Sequence, residues 1–140
     1  MNYVAIIAGA IAIMALGFIW FHPKVLGKSW MEGAGLTEDD MKSANPMVMG
    51  GAFLMALVIS WTISRYASHT EEGMSQFLHG MYHGFIPAIT LVAPVLVSKG
   101  LFEKKSIGWI LTGAAYWVLA ITLVGGIVYA LTPAVIAAAG

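Results

Sequence analysis

Two histidines four residues apart carry the most recognisable chemistry in this sequence. His79 and His83 lie in one long apolar stretch, and residues at positions i and i+4 share a face of a helix. Helical spacing extends that face to Pro87, Thr90 and Pro94. Each proline removes the backbone hydrogen bond to the carbonyl four residues earlier, so the face is expected to combine two imidazoles, one hydroxyl and two released carbonyls. In lipid these groups need partners, which predicts that the face points into a helix bundle.

Two interpretations of this face need no bound ion. In the first, the histidines are structural: His79 lies at the outer interface and His83 hydrogen-bonds a neighbouring helix. In the second, His79, His83 and Thr90 line a polar cavity or pore for a small solute, because interrupted helices with released carbonyls form transporter sites. The apolar stretches contain no Asp or Glu, which argues against proton or sodium coupling in such a site.

The third interpretation is a metal site formed by His79, His83 and His69. The His-x-x-x-His spacing suits ligation of a divalent or copper ion, and His69 lies on the same outer side of the predicted membrane. The glutamate of a zinc-protease helix is missing, because Gly80–Tyr82 separate the two histidines. The chain has no cysteine, so thiolate metal sites, Fe–S clusters, disulfides and cysteine nucleophiles are excluded.

Four apolar stretches must position these residues. Only 10% of the 140 residues are charged, against about 25% in a typical soluble domain. So few charges cannot cover a water-facing surface, and lipid is expected to cover the rest. A helix needs about 20 apolar residues to cross a bilayer. The predicted fold is therefore an all-α integral membrane protein, a single domain over residues 1–140, whose four transmembrane helices are Asn2–Phe21, Met47–Tyr66, Leu78–Ser98 and Ile107–Leu131.

The basic residues predict the orientation of the four spans. Six of the seven lie in the first and third connections, and the remaining one, Arg65, lies beside the second. Because cytoplasmic loops are enriched in Lys and Arg, the first and third connections are expected in the cytoplasm and both termini outside. The formal net charge is zero, which argues against nucleic acid as a partner. The six residues are Lys24, Lys28, Lys42, Lys99, Lys104 and Lys105.

The first connection is predicted to be partly helical. Thr37 followed by Glu38-Asp39-Asp40 is typical of a capped helix start, so a short helix is expected over Glu38–Ala44. Asn45-Pro46 predicts the start of the second span, with proline in its first turn. Val25–Met31 mixes apolar residues with lysines, which suits either a short interfacial helix or an irregular loop.

Rows of small residues predict where the helices pack. Small side chains four apart allow close helix contact in lipid. The contacts they make lie either within one chain or between the copies of a homo-oligomer. The rows are Ala5 and Gly9; Ala52, Ala56, Ser60 and Ser64; and Gly80, Gly84 and Ala88.

Short motifs in the connections and in the last helix resemble one known family. They are Gly27–Met31, Gly35–Asp40, Ala44–Pro46, Leu101–Glu103 and Ala115–Trp117. Together they are similar to a bacterial membrane family known as domain of unknown function 1761, and the similarity covers nearly the whole chain. The resemblance implies a four-helix protein of the bacterial inner membrane and brings no activity, cofactor or catalytic residue with it.

The predicted function is that of a non-enzymatic structural or accessory component acting through helix contacts. Its expected partners are the lipid bilayer and further copies of itself. The alternatives are a homo-oligomeric channel or small-solute transporter at His79, His83 and Thr90, and an outward-facing metal site at the histidines. No catalytic residue is predicted, and a metal ion is the only cofactor considered.

Overall fold

The computed structural model describes residues 2–42, 45–67 and 74–132, and this part of the chain contains no strand. Four helices, or continuous helical stretches, are long and apolar enough to cross a membrane: Tyr3–Trp20, Pro46–Tyr66, Gln76–Phe102 and Ile107–Leu131. The predicted all-α fold with four such helices is confirmed. In chain order the helices are α1 (Tyr3–Trp20), α2 (Lys28–Ala34), α3 (Glu38–Lys42), α4 (Pro46–Tyr66), α5 (Gln76–Pro87), α6 (Ala93–Phe102) and α7 (Ile107–Leu131), with π-helical turns at Pro23–Gly27 and Ala88–Val92.

Each of the four long helical stretches begins at a side-chain cap. Asn2, Asn45, Ser75 and Ser106 all stand at the N-cap position and accept a hydrogen bond from a backbone N–H of the first turn. Such caps satisfy donors that the helix itself leaves without a partner. The predicted start of α4 at Asn45-Pro46 is confirmed, because the Asn45 side chain accepts from the N–H of Met47 at 2.9 Å.

The last helix, α7, forms the centre of the molecule. Of the apolar 18-residue segment of α7 that could span a membrane, 56% is buried inside the molecule, against 28%, 17% and 11% of the equivalent segments in the three other stretches. Helices α1, α4, α5 and α6 all pack on α7, and α4 also packs on α1. Its small residues let the others approach: a side chain at Gly125 would collide with the carbonyl of Gly80.

Members of each row of small residues join helices within this one chain, whereas Ala52 of the second row is exposed. A Cβ atom at Gly9 of α1 would collide with Ser60 of α4 and approach Val124 of α7 to 3.2 Å. Ala56 and Ser60 are almost completely buried. A Cβ at Gly84 would contact the carbonyl of Ile121. Close backbone approach is therefore the device that holds the bundle together, and self-association stays a prediction for the surfaces that remain exposed.

A π-helical turn divides the third long stretch. At Ala88–Val92 the N–H of Ala93 donates to the carbonyl of Ala88, five residues back instead of four. A π turn of this kind inserts one residue into an α-helix. Ala88 and Ala93 are both buried, as is Gly100 beyond them. The inserted residue thus keeps the small side chains of α6 directed at α7.

The first connection is helical over most of its described length. Helix α2 packs on α7, where a Cβ atom at Gly33 would lie 2.5 Å from the Cβ of Trp109. Gly35 ends α2 with φ of 71°, a left-handed conformation that suits glycine. Val25–Met31 forms a π-helical turn and the start of α2 instead of an irregular loop.

The predicted cap of the short helix α3 is confirmed. The N–H of Asp40 donates to the Thr37 hydroxyl oxygen, while the N–H and hydroxyl of Thr37 donate to the Asp40 carboxylate at 2.8 and 2.6 Å. These bonds favour the charged carboxylate and lower the pKa of Asp40 below its ordinary value of 3.8. The described helix ends at Lys42, and the last two residues of the predicted one lie outside the described residues.

Candidate functional site

The site is centred on the two histidines of α5. Ser75 starts this helix by accepting a hydrogen bond from Leu78, which puts His79 in the first turn and His83 in the second. The Nε2 atoms of the two rings lie 2.8 Å apart, within hydrogen-bonding distance. His79 is 3% exposed and His83 is half-buried. Since such a bond needs one donor and one acceptor, one Nε2 carries a proton and the other presents a lone pair.

Helix α7 contributes Tyr129, which covers both imidazoles. The rings of His83 and Tyr129 stack, with centroids 5.4 Å apart and planes 11° from parallel, and His79 meets the same ring edge-on at 5.5 Å. The Tyr129 hydroxyl donates to the carbonyl of Tyr66 at 2.8 Å, at the end of α4. Tyr129 therefore ties together α4, α5 and α7.

Glycines make this contact possible. A Cβ atom at Gly80 would collide with the carbonyl of Gly125 and lie 2.5 Å from the Cβ of Tyr129. The backbones of α5 and α7 consequently approach closely at Gly80, the residue that follows His79. Two helices that pack this closely place His79 and His83 directly against Tyr129.

Thr90 is not brought to the histidine pair. Its side chain is exposed, and its hydroxyl donates to the carbonyl of Ile86 at 2.7 Å. Pro94 is exposed too. The expected polar face runs straight only as far as Pro87, because the π-helical turn at Ala88–Val92 then shifts the helix by one residue. The structure thus brings together two of the three residues predicted to line a cavity.

Two of the three residues predicted to bind a metal ion, His79 and His83, lie together in the described part of the chain. His69 lies outside the described residues. Within them, no group of three or more His, Cys, Asp or Glu side chains is placed to hold a metal ion. Zn–N bonds of about 2.0–2.1 Å at tetrahedral angles would hold two nitrogens roughly 3.4 Å apart. The Nε2 atoms of His79 and His83 would therefore have to separate by roughly half an ångström to share a metal ion.

Tyr129 is the site residue that sequence reasoning missed. Its position near the end of an apolar stretch is equally typical of an aromatic ring at the lipid headgroups. The pattern that identifies its role is Gly125 four residues earlier on the same helical face. A helix carrying Gly80 and Gly84 needs a partner that is equally small, and Gly125 is such a residue in α7.

Comparison with known proteins gives one match. A family model described as protein of unknown function (DUF1761) matches residues 4–129. No curated protein and no solved structure matches the chain. The match covers nearly the whole sequence, so the chain belongs to this family, as the motifs in its connections predict.

Proposed function

We propose that this family member is a multi-pass protein of the bacterial inner membrane that acts as a non-enzymatic structural or accessory component. The proposal rests on one observation: the two histidines within the long helical stretches are used to join helices. His79 and His83 bond to each other and pack on Tyr129, so their polar atoms and ring faces join α5 to α7. Groups used in this way hold helices in place.

The outer surface supports a location in lipid. Large apolar side chains are exposed on every long helical stretch, such as Phe18 at 63%, Val48 at 65%, Leu91 at 65% and Leu111 at 58%. A water-soluble monomer seldom exposes so many in contiguous patches. The excess of lysines in the first and third connections favours an orientation with both termini on the non-cytoplasmic side.

Cysteine labelling tests the location and the orientation. Because the chain has no cysteine, Met74→Cys and Lys104→Cys each create a single thiol, and both positions are exposed. In spheroplasts a membrane-impermeant maleimide should label Cys at 74 directly and Cys at 104 only after permeabilisation. Labelling in the reverse order would overturn the orientation. Immediate labelling of both would overturn the membrane-spanning proposal.

The accessory role is tested by the mass of the particle that contains the chain. Gently solubilised membranes should yield, on native gels and by light scattering, a complex heavier than the 14.9 kDa chain. The His83→Ala variant, which removes the ring stack on Tyr129, should weaken that complex by loosening α5 from α7. A monomeric protein that turns over a substrate would contradict the proposal.

A second candidate is a homo-oligomeric channel or small-solute transporter using His79, His83 and Thr90. The observation in its favour is the π-helical turn between two prolines, because interrupted helices are where transporters place solute sites. Solute flux into proteoliposomes should then fall when both histidines are changed to phenylalanine. A matched control is Thr62→Val, which alters an exposed threonine of α4 bonded to its own helix. Unchanged flux in the double histidine variant removes this candidate.

A third candidate is an outward-facing metal site. Its support is that the Nε2 atoms of His79 and His83 point at each other across 2.8 Å, which is close to a chelating arrangement. The purified protein should then contain bound divalent or copper ion, and His83→Ala should remove it. Clean elemental analysis of the wild-type protein ends this candidate, and loss of metal from His69→Ala would assign the third ligand.

A further inference from the structure

An aromatic cavity lies near the start of α7, and none of its lining residues belongs to the site formed by His79, His83 and Tyr129. Its volume is about 310 Å³, and it opens to the surface of the molecule. Rings from three parts of the fold form its wall: Phe21 after α1, Trp30 of α2, and Trp109, Tyr116 and Trp117 of α7. A volume of this size stands at the lower end of small-molecule sites, which run from about 300 to 1,000 Å³ and are mostly apolar.

The cavity is held open by the arrangement of its rings. Phe21 lies 4.8 Å, centroid to centroid, from both Trp30 and Tyr116. Tyr116 contacts Trp117 at 5.1 Å and donates a hydrogen bond to the carbonyl of Ile13 at 3.0 Å. Gly113 also borders the space, and a Cβ atom added there would meet nothing within 4 Å. The rings therefore brace one another while α7 leaves a gap at Gly113.

A positive charge lies beside Trp109, one of the rings that line the cavity. The Lys105 Nζ lies 5.5 Å from the centre of the Trp109 ring, in cation–π contact. Lys99 is paired with Glu103 at 2.7 Å, whereas Lys105 has no carboxylate partner among the described residues. Trp109, Gly113 and Trp117 then follow at intervals of four residues along one face of α7.

The dimensions fit one leaflet of a bilayer. From Trp109 to Trp117 the helix rises about 12 Å, and half of a hydrocarbon core of about 30 Å is roughly 15 Å. A cation at the interface followed by an apolar space of this depth matches a headgroup and the upper part of its acyl chain. Lysines attract anionic headgroups at the membrane surface.

We infer that this cavity binds an acyl chain of an anionic amphiphile, with Lys105 receiving the anionic headgroup. The chemistry is shared by anionic phospholipids and long-chain carboxylates. The inference rests on the proposed membrane location and is independent of the accessory role. Cysteine labelling tests the location separately, so the two proposals can fail separately.

The test is tryptophan quenching by lipids with brominated acyl chains, in nanodiscs of phosphatidylcholine. Three of the five tryptophans line the cavity, so an occupant should quench them. Brominated phosphatidylglycerol should quench saturably and more strongly than brominated phosphatidylcholine. A parallel titration with a brominated long-chain fatty acid distinguishes the two sources of the anionic chain.

Two variants and two controls locate the binding. Gly113→Leu fills the cavity and should abolish the saturable part of the quenching, while Gly51→Leu, at an exposed glycine of α4 with open space around it, should not. Lys105→Gln should weaken binding of the anionic lipid about fivefold. Lys104→Gln removes the neighbouring exposed lysine and should have a smaller effect.

Three outcomes overturn the inference. Equal quenching by the two brominated phospholipids, with no stronger quenching by the fatty acid, means that anionic charge is not recognised. Saturable quenching that survives Gly113→Leu means that the lipid lies outside the cavity, as annular lipid does. Equal effects of Lys105→Gln and Lys104→Gln mean that no headgroup site exists at Trp109. Should Gly113→Leu fail to fold, the comparison of the two lysine variants still decides.

Discussion

The close contact between α5 and α7 predicts a large effect when a glycine at this contact is changed to alanine. In Gly80→Ala the new methyl carbon would collide with the carbonyl of Gly125 and lie 2.5 and 2.7 Å from the Cβ and Cγ of Tyr129. Neither neighbour is the free end of a flexible side chain, so α5 and α7 must move apart by roughly 1 Å to reach ordinary van der Waals distances. That movement also separates His83 from the ring of Tyr129.

The expected change in the free energy of unfolding of Gly80→Ala is the sum of two opposing effects. Overpacking costs about 1–3 kcal/mol. Alanine in a helix is more favourable than glycine by about 1 kcal/mol. Gly51→Ala is the matched control, because Gly51 lies on an exposed face of α4 where a Cβ atom meets nothing within 4 Å. Gly51→Ala should gain only the higher helix propensity of alanine, without the cost of overpacking. The two variants should therefore differ in free energy of unfolding by about 1–3 kcal/mol.

Unfolding in mixed micelles with increasing SDS, followed by circular dichroism, measures this difference. Gly80→Ala should unfold at a lower SDS fraction than the wild-type protein or Gly51→Ala. If Gly80→Ala proves as stable as Gly51→Ala, the close approach of α5 and α7 does not exist in the folded protein. The placement of His79 and His83 against Tyr129 would then lose its basis as well.

Three further predictions concern polar contacts. Tyr129→Phe keeps the ring stack but removes the hydrogen bond to Tyr66, so it should lower the free energy of unfolding by about 0.5–1.5 kcal/mol in the same SDS assay. The lowered pKa of Asp40 means that its cap with Thr37 is fully formed above the ordinary carboxyl pKa of 3.8 and is lost as the pH falls through the lowered pKa of the folded state. Slow exchange of the Thr37 amide hydrogen should therefore disappear over that range. The Asp40→Asn variant should weaken this protection at neutral pH. Asn2→Ala removes both the cap of α1 and a bond to the carbonyl that ends α7, so amide exchange should accelerate at both helix ends, whereas acceleration in α1 alone would contradict the bond to α7.

Local patterns were sufficient to predict the long helices but left their ends less well defined. The third was predicted from Leu78 to Ser98, whereas the helical stretch runs from Gln76 to Phe102. Hydropathy falls at polar residues, but a helix continues through them when their side chains have a hydrogen-bonding or charged partner. Ser75 caps the start, and Lys99 pairs with Glu103 one turn further along at the other end.

The site was predictable only where its residues share one helix. The spacing of His79 and His83 was enough to place the two rings together. Tyr129 lies about fifty residues away, and its role depends on how closely α5 approaches α7. The position of the inserted residue near Ala88 likewise depends on packing against α7, so the two prolines predicted an irregular helix without locating the change of register.

The π-helical turn decides where the third helical stretch can lose a residue. Each residue of an α-helix advances the direction of its side chain by about 100°. In the turn, the N–H of Ala93 bonds to the carbonyl of Ala88 five residues back, where an α-helix would bond four residues back. Deleting one residue between Ala88 and Ala93 would therefore give an ordinary helix in which Ala93 and Gly100 still face α7. Deleting one residue between Ala93 and Gly100 would instead turn Gly100 away from α7 by about 100° and bring a bulkier neighbour into its place.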